Sequence, residues 1–596
     1  MPGKTDWGQE SLADVGAASR DPDLVMTAVQ VLDWDRHHST LNIVPLRLPS
    51  RDYIAQSKIF DGFACLAAFY ICKDHKKMDN ASRIKAIGGA FSEDSWAIKT
   101  LYIAENGPIL SEDKLPVISA HLEKSAEFIE QLIKDLHDAA EKPCAQEFLF
   151  QPQTDTNEYI KRIGERGKAL YTVLAGVLDR THETIFRRVK KRNLHLIFLQ
   201  AFGLIEDVST HPPYPELEDL VDSARIQKPD GIFTHGGKSV LAVLQDLIFL
   251  TNEEAWSSDI RGPSDNDLST CLHYLQSWQS KLTNNDSNSD GRTFAYSLGE
   301  GNSFVDHLNE LVYSLYKLKH PGEDVEPSRI SFPRWIGKTA APLVAFNNIA
   351  QLVTNQGLRA WLPSRVKCQA VKSLVKHQHS GEYDIPFSAV SQVLRENRPE
   401  DKEIDPNLVS LICRQQFDLL SARLSKRGGK ATSSLEGITR IRTSAPFHSH
   451  CESVVTAALH GIRSFEYIGV SKLSCPGCHI FLEAYASLWP EERKYTRGRH
   501  GTPFPWALPD GTCYFNSEFS DEDYNNLEFA FCTKMCKVIE ASWPLWIAGS
   551  PPTRSRSLST STVSSEHGLT QLTFKVLTRV PCDFWDATDI RSSFTV

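Results

Sequence analysis

Residues 448–478 read HSHCESVVTAALHGIRSFEYIGVSKLSCPGC, and this stretch carries most of the chemical information in the chain. It opens with an H-x-E motif formed by His450 and Glu452, and it ends with a C-x-x-C pair formed by Cys475 and Cys478. An imidazole and two thiolates are a soft ligand set that suits Zn²⁺ and leaves the fourth tetrahedral position to water. A carboxylate close to that water could move protons on and off it. The stretch therefore predicts a zinc centre with Glu452 as its acid and base.

The spacing between the two motifs favours their meeting at one ion. Between Glu452 and Cys475 lie 22 residues, in which an apolar helical run precedes an apolar strand-like run. One helix and one strand that cross back bring the starts of two neighbouring helices to the same edge of a sheet. Cys475 and Cys478 stand at a predicted helix start, so both sulfurs point to one side of its first turn. Ser474 is the predicted N-cap, and Pro476 in the first turn costs no helical hydrogen bond.

Each motif taken alone has another interpretation. Ser449-x-x-Glu452 directly before an apolar run is a capping box, in which the two side chains satisfy free N–H groups at a helix start. His448 or Cys451 could be the ligand in place of His450. The C-x-x-C pair is also typical of a thioredoxin-like redox dithiol. Because a redox site needs no H-x-E motif one helix and one strand upstream, the joint pattern favours metal binding.

The composition is that of a globular protein with several domains. The chain has 596 residues, of which 41% are hydrophobic and 23% are charged, and this length exceeds what one core supports. The formal net charge of −9 gives no overall attraction to nucleic acid or to anionic membranes. The apolar runs are too short to span a membrane, and the first residues lack the apolar core of a secretory signal. The 13 cysteines are scattered and odd in number, which does not indicate a framework of disulfides. We therefore expect an intracellular protein, cytoplasmic or nuclear and not secreted, with reduced cysteines and no membrane span.

Amphipathic periodicity predicts that most of the chain before the H-x-E motif is helical. Apolar residues recur at helical spacing, with charged residues between them, in residues 115–142, 168–192, 239–250, 302–319 and 407–424. No repeat of fixed period is present, so a solenoid is not predicted. After about residue 434 the pattern changes to alternating strands and helices, which indicates an α/β unit with helices packed on a sheet.

The predicted fold class is α+β multidomain, with a large, mostly α-helical N-terminal region followed by a C-terminal α/β domain. Composition divides the chain into six segments: a disordered lead-in at 1–25, a helical region of one or two subdomains at 26–424, a basic Gly/Ser-rich linker at 425–434, the α/β domain at 435–548, a flexible Ser/Thr/Pro-rich segment at 549–569 and a C-terminal extension at 570–596.

The surroundings of the two motifs resemble a known family. The strand-like run before the C-x-x-C pair ends in Val470-Ser471-Lys472, and a G-x-H-G segment at residues 498–501 precedes Trp506. In these features the sequence from about Leu435 to Ala548 is similar to the deaminase-like domain of many fungal proteins, a branch of the cytidine deaminase-like superfamily. One departure is Ser474, since the superfamily pattern has proline before the first cysteine.

The resemblance implies hydrolytic deamination of a nucleobase at a zinc centre. Carried over by motif, the zinc ligands are His450, Cys475 and Cys478, and Glu452 is the proton shuttle. Cys451 departs from the small residue that is common between the histidine and the glutamate, and it could compete for the metal. The implied fold is a three-layer α/β domain in which helices flank a mixed sheet.

Two weaker signals have simple structural explanations beside the functional ones. His500, Phe504 and Trp506 follow the second motif and could stack on a flipped base or line its pocket, although an ordinary Pro- and Gly-rich loop explains them equally well. The basic run RRVKKR at residues 187–192 could be a nuclear-import signal or a phosphate-contacting face, although a solvated helix face is the simpler interpretation.

The expected substrate is a nucleobase-containing compound, either free or in single-stranded nucleic acid, and the helical region is expected to bind protein partners. Two other classes of function stay open. In a non-catalytic scaffold the zinc would be structural, and Cys451 or His479 would fill its fourth position. In a dithiol redox protein the C-x-x-C pair would act without a metal.

Overall fold

The computed structural model describes residues 17–31, 51–70, 84–106, 115–143, 164–207, 215–228, 239–251, 265–283, 303–323, 325, 327–371, 383–397, 414, 417, 418, 421, 429–434, 437–443, 449–472, 474–497, 506, 508, 509 and 519–549. Within these residues the chain is mostly helical and carries two small sheets. Helices α1 to α15 are, in chain order, Pro22–Val31, Arg51–Phe69, Leu115–Ala140, Gly164–Lys190, Leu194–Glu206, Glu218–Gln227, Val240–Leu250, Asp265–Thr283, Ser303–Lys319, Phe332–Thr354, Gln356–Trp361, Phe387–Glu396, Cys451–Ala458, Pro476–Leu488 and Asp521–Gly549. Strands β1 to β7 are Ile84–Phe91, Ile98–Asn106, Lys367–Ala370, Tyr383–Pro386, Gly429–Ser434, Gly437–Thr443 and Gly469–Val470. No helix in this part of the chain combines the length and the apolar character that crossing a membrane requires.

Contacts between residues divide the chain into two compact units, each built from three segments. Unit 1 comprises Met1–Pro49, Arg83–Ala126 and Lys367–His567, and unit 2 comprises Ser50–Ser82, Glu127–Val366 and Gly568–Val596. Unit 1 contains both sheets and both motifs of residues 448–478. The strands that accompany the motifs therefore come from a much longer part of the chain than residues 435–548.

The four-stranded sheet of unit 1 is mixed and has the order β3-β2-β1-β7. Strand β1 pairs antiparallel with β2 and with β7, while β2 pairs in parallel with β3. The sequence analysis placed residues 84–106 in the mainly helical region, and the structure makes them the two central strands instead. Residues 85–91 are buried on both faces of the sheet, so they lack the polar–apolar alternation that marks a half-exposed strand.

Helix α13 packs closely on the sheet because β1 has a glycine at the contact. A Cβ added at Gly88 would lie 2.6 Å from Cγ1 of Val455 and 2.7 Å from Cδ1 of Leu459. On the opposite face of β1, Nζ of Lys85 lies 3.4 Å from Oγ of Ser125 in α3. Strand β1 thus contacts a helix on each face, and the contact at Gly88 sets how near α13 comes to the sheet.

A continuous apolar core joins the sheet of unit 1 to helices α1, α13, α14 and α15. Its fully buried members include Met26, Val455, Ile468, Phe481, Trp506 and Phe531. Helix α14 packs against α15, and α1 packs against both α12 and α15. This core therefore supports the two helices, α13 and α14, whose first turns carry the two motifs.

The beginning of this core lies in the segment that was predicted as a disordered lead-in. Residues 17–20 form a 3₁₀ turn, and α1 starts directly afterwards. Asp21 Oδ1 accepts a hydrogen bond from the backbone N–H of Leu24 at 3.2 Å, and Pro22 occupies the first helical position. An acidic N-cap followed by proline is a helix start signal, so the prediction was wrong for residues 17–25. Residues 1–16 lie outside the described residues.

Unit 1 also contains a three-stranded antiparallel sheet in the order β4-β6-β5. Strand β6 confirms the strand predicted at the start of the α/β segment. Strand β5 covers Gly429–Ser434, which was predicted as part of a linker. Because β5 lies at the edge of its sheet, glycine and polar residues are tolerated there, and composition alone misidentified it.

Unit 2 is helical in its described residues. Helix α10 contacts α2, α4 and α8, and its side chains are mostly buried. Four of the five predicted helical segments are confirmed as α3, α4, α7 and α9. The fifth, residues 407–424, lies largely outside the described residues, as do residues 550–596.

The basic run at residues 187–192 ends α4 and is not uniformly solvated. Lys190 is exposed, whereas the guanidinium carbon of Arg188 lies 4.0 Å from the ring centroid of Phe69. Nη1 of Arg188 also donates a hydrogen bond to the Lys338 carbonyl at 3.2 Å. Burial lowers the pKa of Arg188 to about 10. The interpretation of the run as a solvated helix face is therefore wrong at Arg188.

Candidate metal centre

Three predicted ligands meet where α13 and α14 begin. His450 is the N-cap of α13, Cys475 is the N-cap of α14, and Cys478 lies in the first turn of α14. Nδ1 of His450 lies 3.2 Å from Sγ of Cys475 and 3.3 Å from Sγ of Cys478, and the two sulfurs are 3.6 Å apart. All three residues are buried. Two segments separated by one helix and one strand thus converge on one point, as their spacing predicts.

The donor set and its dimensions fit a zinc ion. Tetrahedral zinc with the usual bond lengths keeps two sulfur ligands about 3.8 Å apart and a sulfur and a nitrogen ligand about 3.5 Å apart. The distances between the three ligand atoms are within a few tenths of an ångström of these values. The chemistry agrees as well, because one imidazole and two thiols are ligands that zinc binds strongly. His450, Cys475 and Cys478 could therefore hold Zn²⁺ with little rearrangement.

The start of α14 differs by one residue from the predicted cap. Sγ of Cys475 accepts a hydrogen bond from the backbone N–H of Cys478 at 3.4 Å, so Cys475 itself is the N-cap. Ser474, the predicted N-cap, instead donates its hydroxyl to Oγ1 of Thr496 at 3.1 Å. Pro476 occupies the first helical position, as expected. A cysteine in the cap position directs its sulfur towards the free N–H groups of the first turn, which is also where His450 lies.

The capping box predicted for Ser449 and Glu452 does not form. His450 is the N-cap of α13 and makes no side-chain cap hydrogen bond. The hydroxyl of Ser449 donates instead to the Leu508 carbonyl at 3.1 Å. Oε2 of Glu452 lies 3.5 Å from Sγ of Cys478, so its carboxylate faces the ligands and not the backbone. The purely structural interpretation of this motif is therefore wrong.

Glu452 lies beside the ligand cluster and is almost fully buried, with 2% of its surface exposed. Its Oε2 contacts two thiols, that of Cys478 at 3.5 Å and that of Cys451 at 3.3 Å. Burying a carboxylate is costly unless a positive charge or hydrogen-bond donors compensate it. A divalent cation at the adjacent ligands would provide such a charge, and the carboxylate is close enough to exchange protons with a water there.

The surroundings shift the pKa values of the three buried thiols in different directions. Burial acts to raise the pKa of Cys475, but its hydrogen bond with Cys478 and the neighbouring His450 lower that pKa well below its ordinary value. Burial and the neighbouring Cys475 raise the pKa of Cys478 well above its ordinary value. Burial and the Glu452 carboxylate raise the pKa of Cys451 in the same way. These shifts favour the thiolate form at Cys475 over Cys478, and a divalent cation would favour it at both sulfurs.

Two other residues that could have been ligands point elsewhere. The thiol of Cys451 donates to Oε2 of Glu452, and Nε2 of His479 lies 3.4 Å from Oε1 of Glu483. Among the residues that the structure describes, the group with metal-ligand geometry consists of His450 and the two motif cysteines. His448, the remaining alternative ligand, lies outside the described residues.

Asn106, at the end of β2, is a neighbour of the site that the sequence analysis missed. Its Oδ1 accepts a hydrogen bond from the backbone N–H of Cys451, the first residue of α13. The two residues are 345 positions apart in the chain. No motif of residue type or spacing marks a single asparagine at that separation, so only an alignment of many related sequences could have indicated it.

Trp506, one of the three residues suggested for base binding, is buried behind the C-x-x-C turn. Its ring stacks on Phe531 with centroids 4.7 Å apart, and its Cγ would lie 3.0 Å from a Cβ added at Gly477. These contacts support the packing interpretation of Trp506, and a role in stacking on a base stays a prediction. His500 and Phe504 lie outside the described residues.

Residues 449–510 match a family model described as an OTT_1508_deam-like deaminase. No curated protein and no solved structure matches the chain. The matched segment contains all three clustered ligands and Glu452, and it covers a small part of the 596 residues. In this segment the chain is therefore similar to a deaminase family.

Proposed function

We propose that the protein is a zinc-dependent hydrolytic deaminase that acts on a nucleobase in a nucleoside, nucleotide or nucleic acid. The observation that carries the proposal is the convergence of His450, Cys475 and Cys478 with the carboxylate of Glu452 beside them. The deaminase-like match over residues 449–510 supports the same function. Since β1 contacts α13 on one face and α3 on the other, the contacts also support a three-layer α/β domain around this site.

In this proposal the ligands and the carboxylate have separate tasks. Zinc, when bound, supplies Lewis acidity that makes a coordinated water easy to deprotonate near neutral pH. Glu452 takes a proton from that water and delivers it to the ring nitrogen next to the carbon that carries the exocyclic amino group. The water oxygen bonds to this carbon. Glu452 then takes the remaining proton from the added hydroxyl group and passes it to the amino group, the carbon–nitrogen bond breaks, and ammonia leaves as the carbonyl forms.

The observations support catalysis over a structural role for the metal. A structural zinc site usually has four protein ligands, whereas a catalytic site has three and leaves one position open. Within the described residues, neither Cys451 nor His479 joins the three clustered ligands. Oε2 of the Glu452 carboxylate lies 3.5 Å from Sγ of the ligand Cys478. This is the arrangement that a proton shuttle needs.

A redox function has less support. A thioredoxin-like dithiol attacks its partner with an accessible N-terminal cysteine of the C-x-x-C pair. Cys475 has the low pKa of such a nucleophile, but only 2% of its surface is exposed, and Cys478 is completely buried. His450 contacts both sulfurs. Buried sulfurs and an imidazole that contacts them are both expected at a metal site, and dithiol exchange requires neither.

The decisive experiment compares the purified wild-type protein with a Glu452→Gln variant. Each is assayed for zinc content and for ammonia release from cytosine, adenine and guanine derivatives, given as bases, nucleosides and single-stranded nucleic acids. We expect about one zinc per chain in both proteins and turnover only in the wild type, because glutamine cannot shuttle the proton. Glu483→Gln, which changes an exposed glutamate of α14, is the matched control and should keep full activity. Turnover that survives Glu452→Gln, or a wild type without zinc, would refute the proposal.

A further inference from the structure

The ends of β1 and β2 are attached to both halves of the metal site. At the end of β2, Oδ1 of Asn106 accepts a hydrogen bond from the N–H of Cys451, which stands between His450 and the shuttle glutamate. At the start of β1, the N–H of Lys85 donates to Oγ of Ser471 at 2.9 Å, and the N–H of Ser471 donates back to the Lys85 carbonyl at 3.0 Å. One hairpin therefore makes specific hydrogen bonds to the first residue of α13 and to the segment before α14.

The two strand ends are held together by a buried polar cluster. Lys85 and Glu105 are directly opposite each other in the β1–β2 register, and Nζ of Lys85 pairs with Oε2 of Glu105. Lys85 is fully buried, and the Glu105 side chain is 2% exposed. His121 and Ser125 of α3 complete the cluster, with Nδ1 of His121 3.7 Å from Oε2 of Glu105 and Oγ of Ser125 3.4 Å from Nζ of Lys85.

This ion pair is better explained by positioning than by stability. Taking a lysine and a carboxylate out of water carries a desolvation penalty, and well-packed apolar residues would usually stabilise the fold as much. A buried pair does, however, fix which residues face each other across two strands. In the register observed here, Asn106 lies next to the start of α13 and Lys85 lies next to Ser471.

We propose that Asn106 and Ser471 are positioning residues of the metal centre, attached to strand ends that the Lys85–Glu105 pair keeps in register. Asn106 holds the backbone between His450 and Glu452, and Ser471 holds the chain four residues before Cys475. The inference rests on the metal binding of the proposed function. It adds that two residues outside the ligand set, one of them far outside the matched segment, determine how well the ligands fit an ion.

The test measures metal binding by the full chain and does not depend on activity. Zinc affinity is determined by competition with a chelator, and the absorption of the cobalt(II)-loaded protein reports the ligand geometry. For Asn106→Leu and for Ser471→Ala we expect zinc affinity to fall 10–100-fold, as for other residues that orient metal ligands, together with an altered cobalt spectrum. Asn106→Asp keeps an oxygen that can accept the Cys451 N–H, so it should retain most of the affinity.

Controls separate positioning from a general loss of stability. Asn397→Leu removes an asparagine of unit 1 whose side chain donates to Ser19 and to the Val393 carbonyl, away from the motifs. Ser487→Ala removes a hydroxyl that donates within α14. Both changes lie away from the ligands and from the β1–β2 strand ends, so both should leave zinc affinity and the cobalt spectrum unchanged, and the melting temperature of every variant is measured alongside. In metal-free protein, hydrogen exchange at the Cys451 amide should accelerate in Asn106→Leu and not in Asn397→Leu.

The outcomes are distinguishable. Wild-type protein that binds zinc, with unchanged affinity and cobalt spectrum in Asn106→Leu and Ser471→Ala, would overturn this inference and leave the proposed function standing. A wild type that binds no zinc would overturn both. Equal loss of affinity in the test variants and in the controls would show that overall stability, and not positioning, governs metal binding.

Discussion

At the scale of single residues, we expect the pH dependence of stability to be set partly by Glu492, which follows α14 and accepts a hydrogen bond from the N–H of Gly461 just after α13. Burial acts to raise the pKa of Glu492, but hydrogen bonds with His460, Tyr485 and the N–H of Gly461 lower it to about 2. A carboxyl with a lowered folded-state pKa contributes stability above its ordinary pKa and loses this contribution as the pH falls towards the folded value.

We therefore expect the free energy of unfolding to decrease between about pH 5 and about pH 2 more steeply in the wild type than in Glu492→Gln. The effect should be modest, because Glu492 is only half-buried and water screens its interactions. Urea unfolding followed by circular dichroism at several pH values measures it. Parallel pH profiles for the two proteins would contradict the assignment.

A second residue-scale prediction concerns Gly477, inside the C-x-x-C pair. A Cβ at this position would lie 3.0 Å from Cγ of Trp506 and 3.2 Å from Cε of Met26, so the neighbours would have to move by a few tenths of an ångström. We expect Gly477→Ala to cost about 1–3 kcal/mol of stability and to weaken zinc binding, because the strain falls on the turn between the two cysteines. Gly203→Ala, in α5 with no atom within 4 Å of the added Cβ, is the control and should be neutral or stabilising.

The residues of the candidate site differ in how far sequence could predict them. His450, Glu452 and the two cysteines form patterns with a fixed spacing and a known chemistry, and the structure brings them together. The exact cap residues could not be predicted, because a cysteine sulfur took the role that the neighbouring Ser474 was expected to play. Asn106 could not be predicted at all, since a single polar residue at a strand end has no signature.

At the scale of secondary-structure elements, the distance between α13 and β1 is the feature most open to test. Gly88→Ala places a methyl group 2.6 Å from Cγ1 of Val455, which is closer than real Cβ contacts allow. We expect a loss of about 1–3 kcal/mol from overpacking, measured by urea unfolding. Because α13 must shift away from the sheet, zinc affinity should fall as well.

A double-mutant cycle makes the prediction specific to this contact. Val455→Ala removes one of the two methyl groups that the new Cβ would meet, so Gly88→Ala combined with Val455→Ala should be more stable than the sum of the two single changes implies. We expect a coupling energy of about 0.5–3 kcal/mol. Additive effects would mean that the helix and the strand do not approach as described.

Elements were predictable where they were long and half-exposed. The periodicity of α3, α4, α7 and α9 is visible because one face of each helix meets water. Strand β1 was missed for the opposite reason, since a short run that is buried on both faces has no alternation and cannot be told from a buried helix.

At the scale of the whole molecule, the unit that carries the site is built from segments far apart in the chain. Lys85 and Ser471, which exchange two hydrogen bonds, are 386 positions apart. The domain boundaries predicted from changes in composition therefore differ from the boundaries of the two units that contacts define in the folded protein. The segment at residues 449–510 that is similar to a deaminase family contains the clustered ligands and only part of the structure that supports them.

This arrangement predicts that the segment assigned to the α/β domain from sequence alone, residues 435–548, is not sufficient for folding. On its own it lacks β1, β2 and β3, which form the four-stranded sheet with β7. It would also expose the apolar residues of α13, such as Val455, that pack on β1. Since β7 has only two residues and pairs with β1, the fragment cannot replace the missing strands.

We expect the 435–548 fragment to show no cooperative thermal unfolding and to bind zinc far more weakly than the full chain under the same conditions. Circular dichroism and chelator competition measure the two properties, and the full chain is the reference. Both losses have one physical cause, because the ligands are held by helices whose packing surface is the missing sheet. A fragment that melts cooperatively and binds zinc as tightly as the full chain would show that the motif helices fold without β1 and β2, and that the hydrogen bonds of Asn106 and Lys85 accompany the site without shaping it.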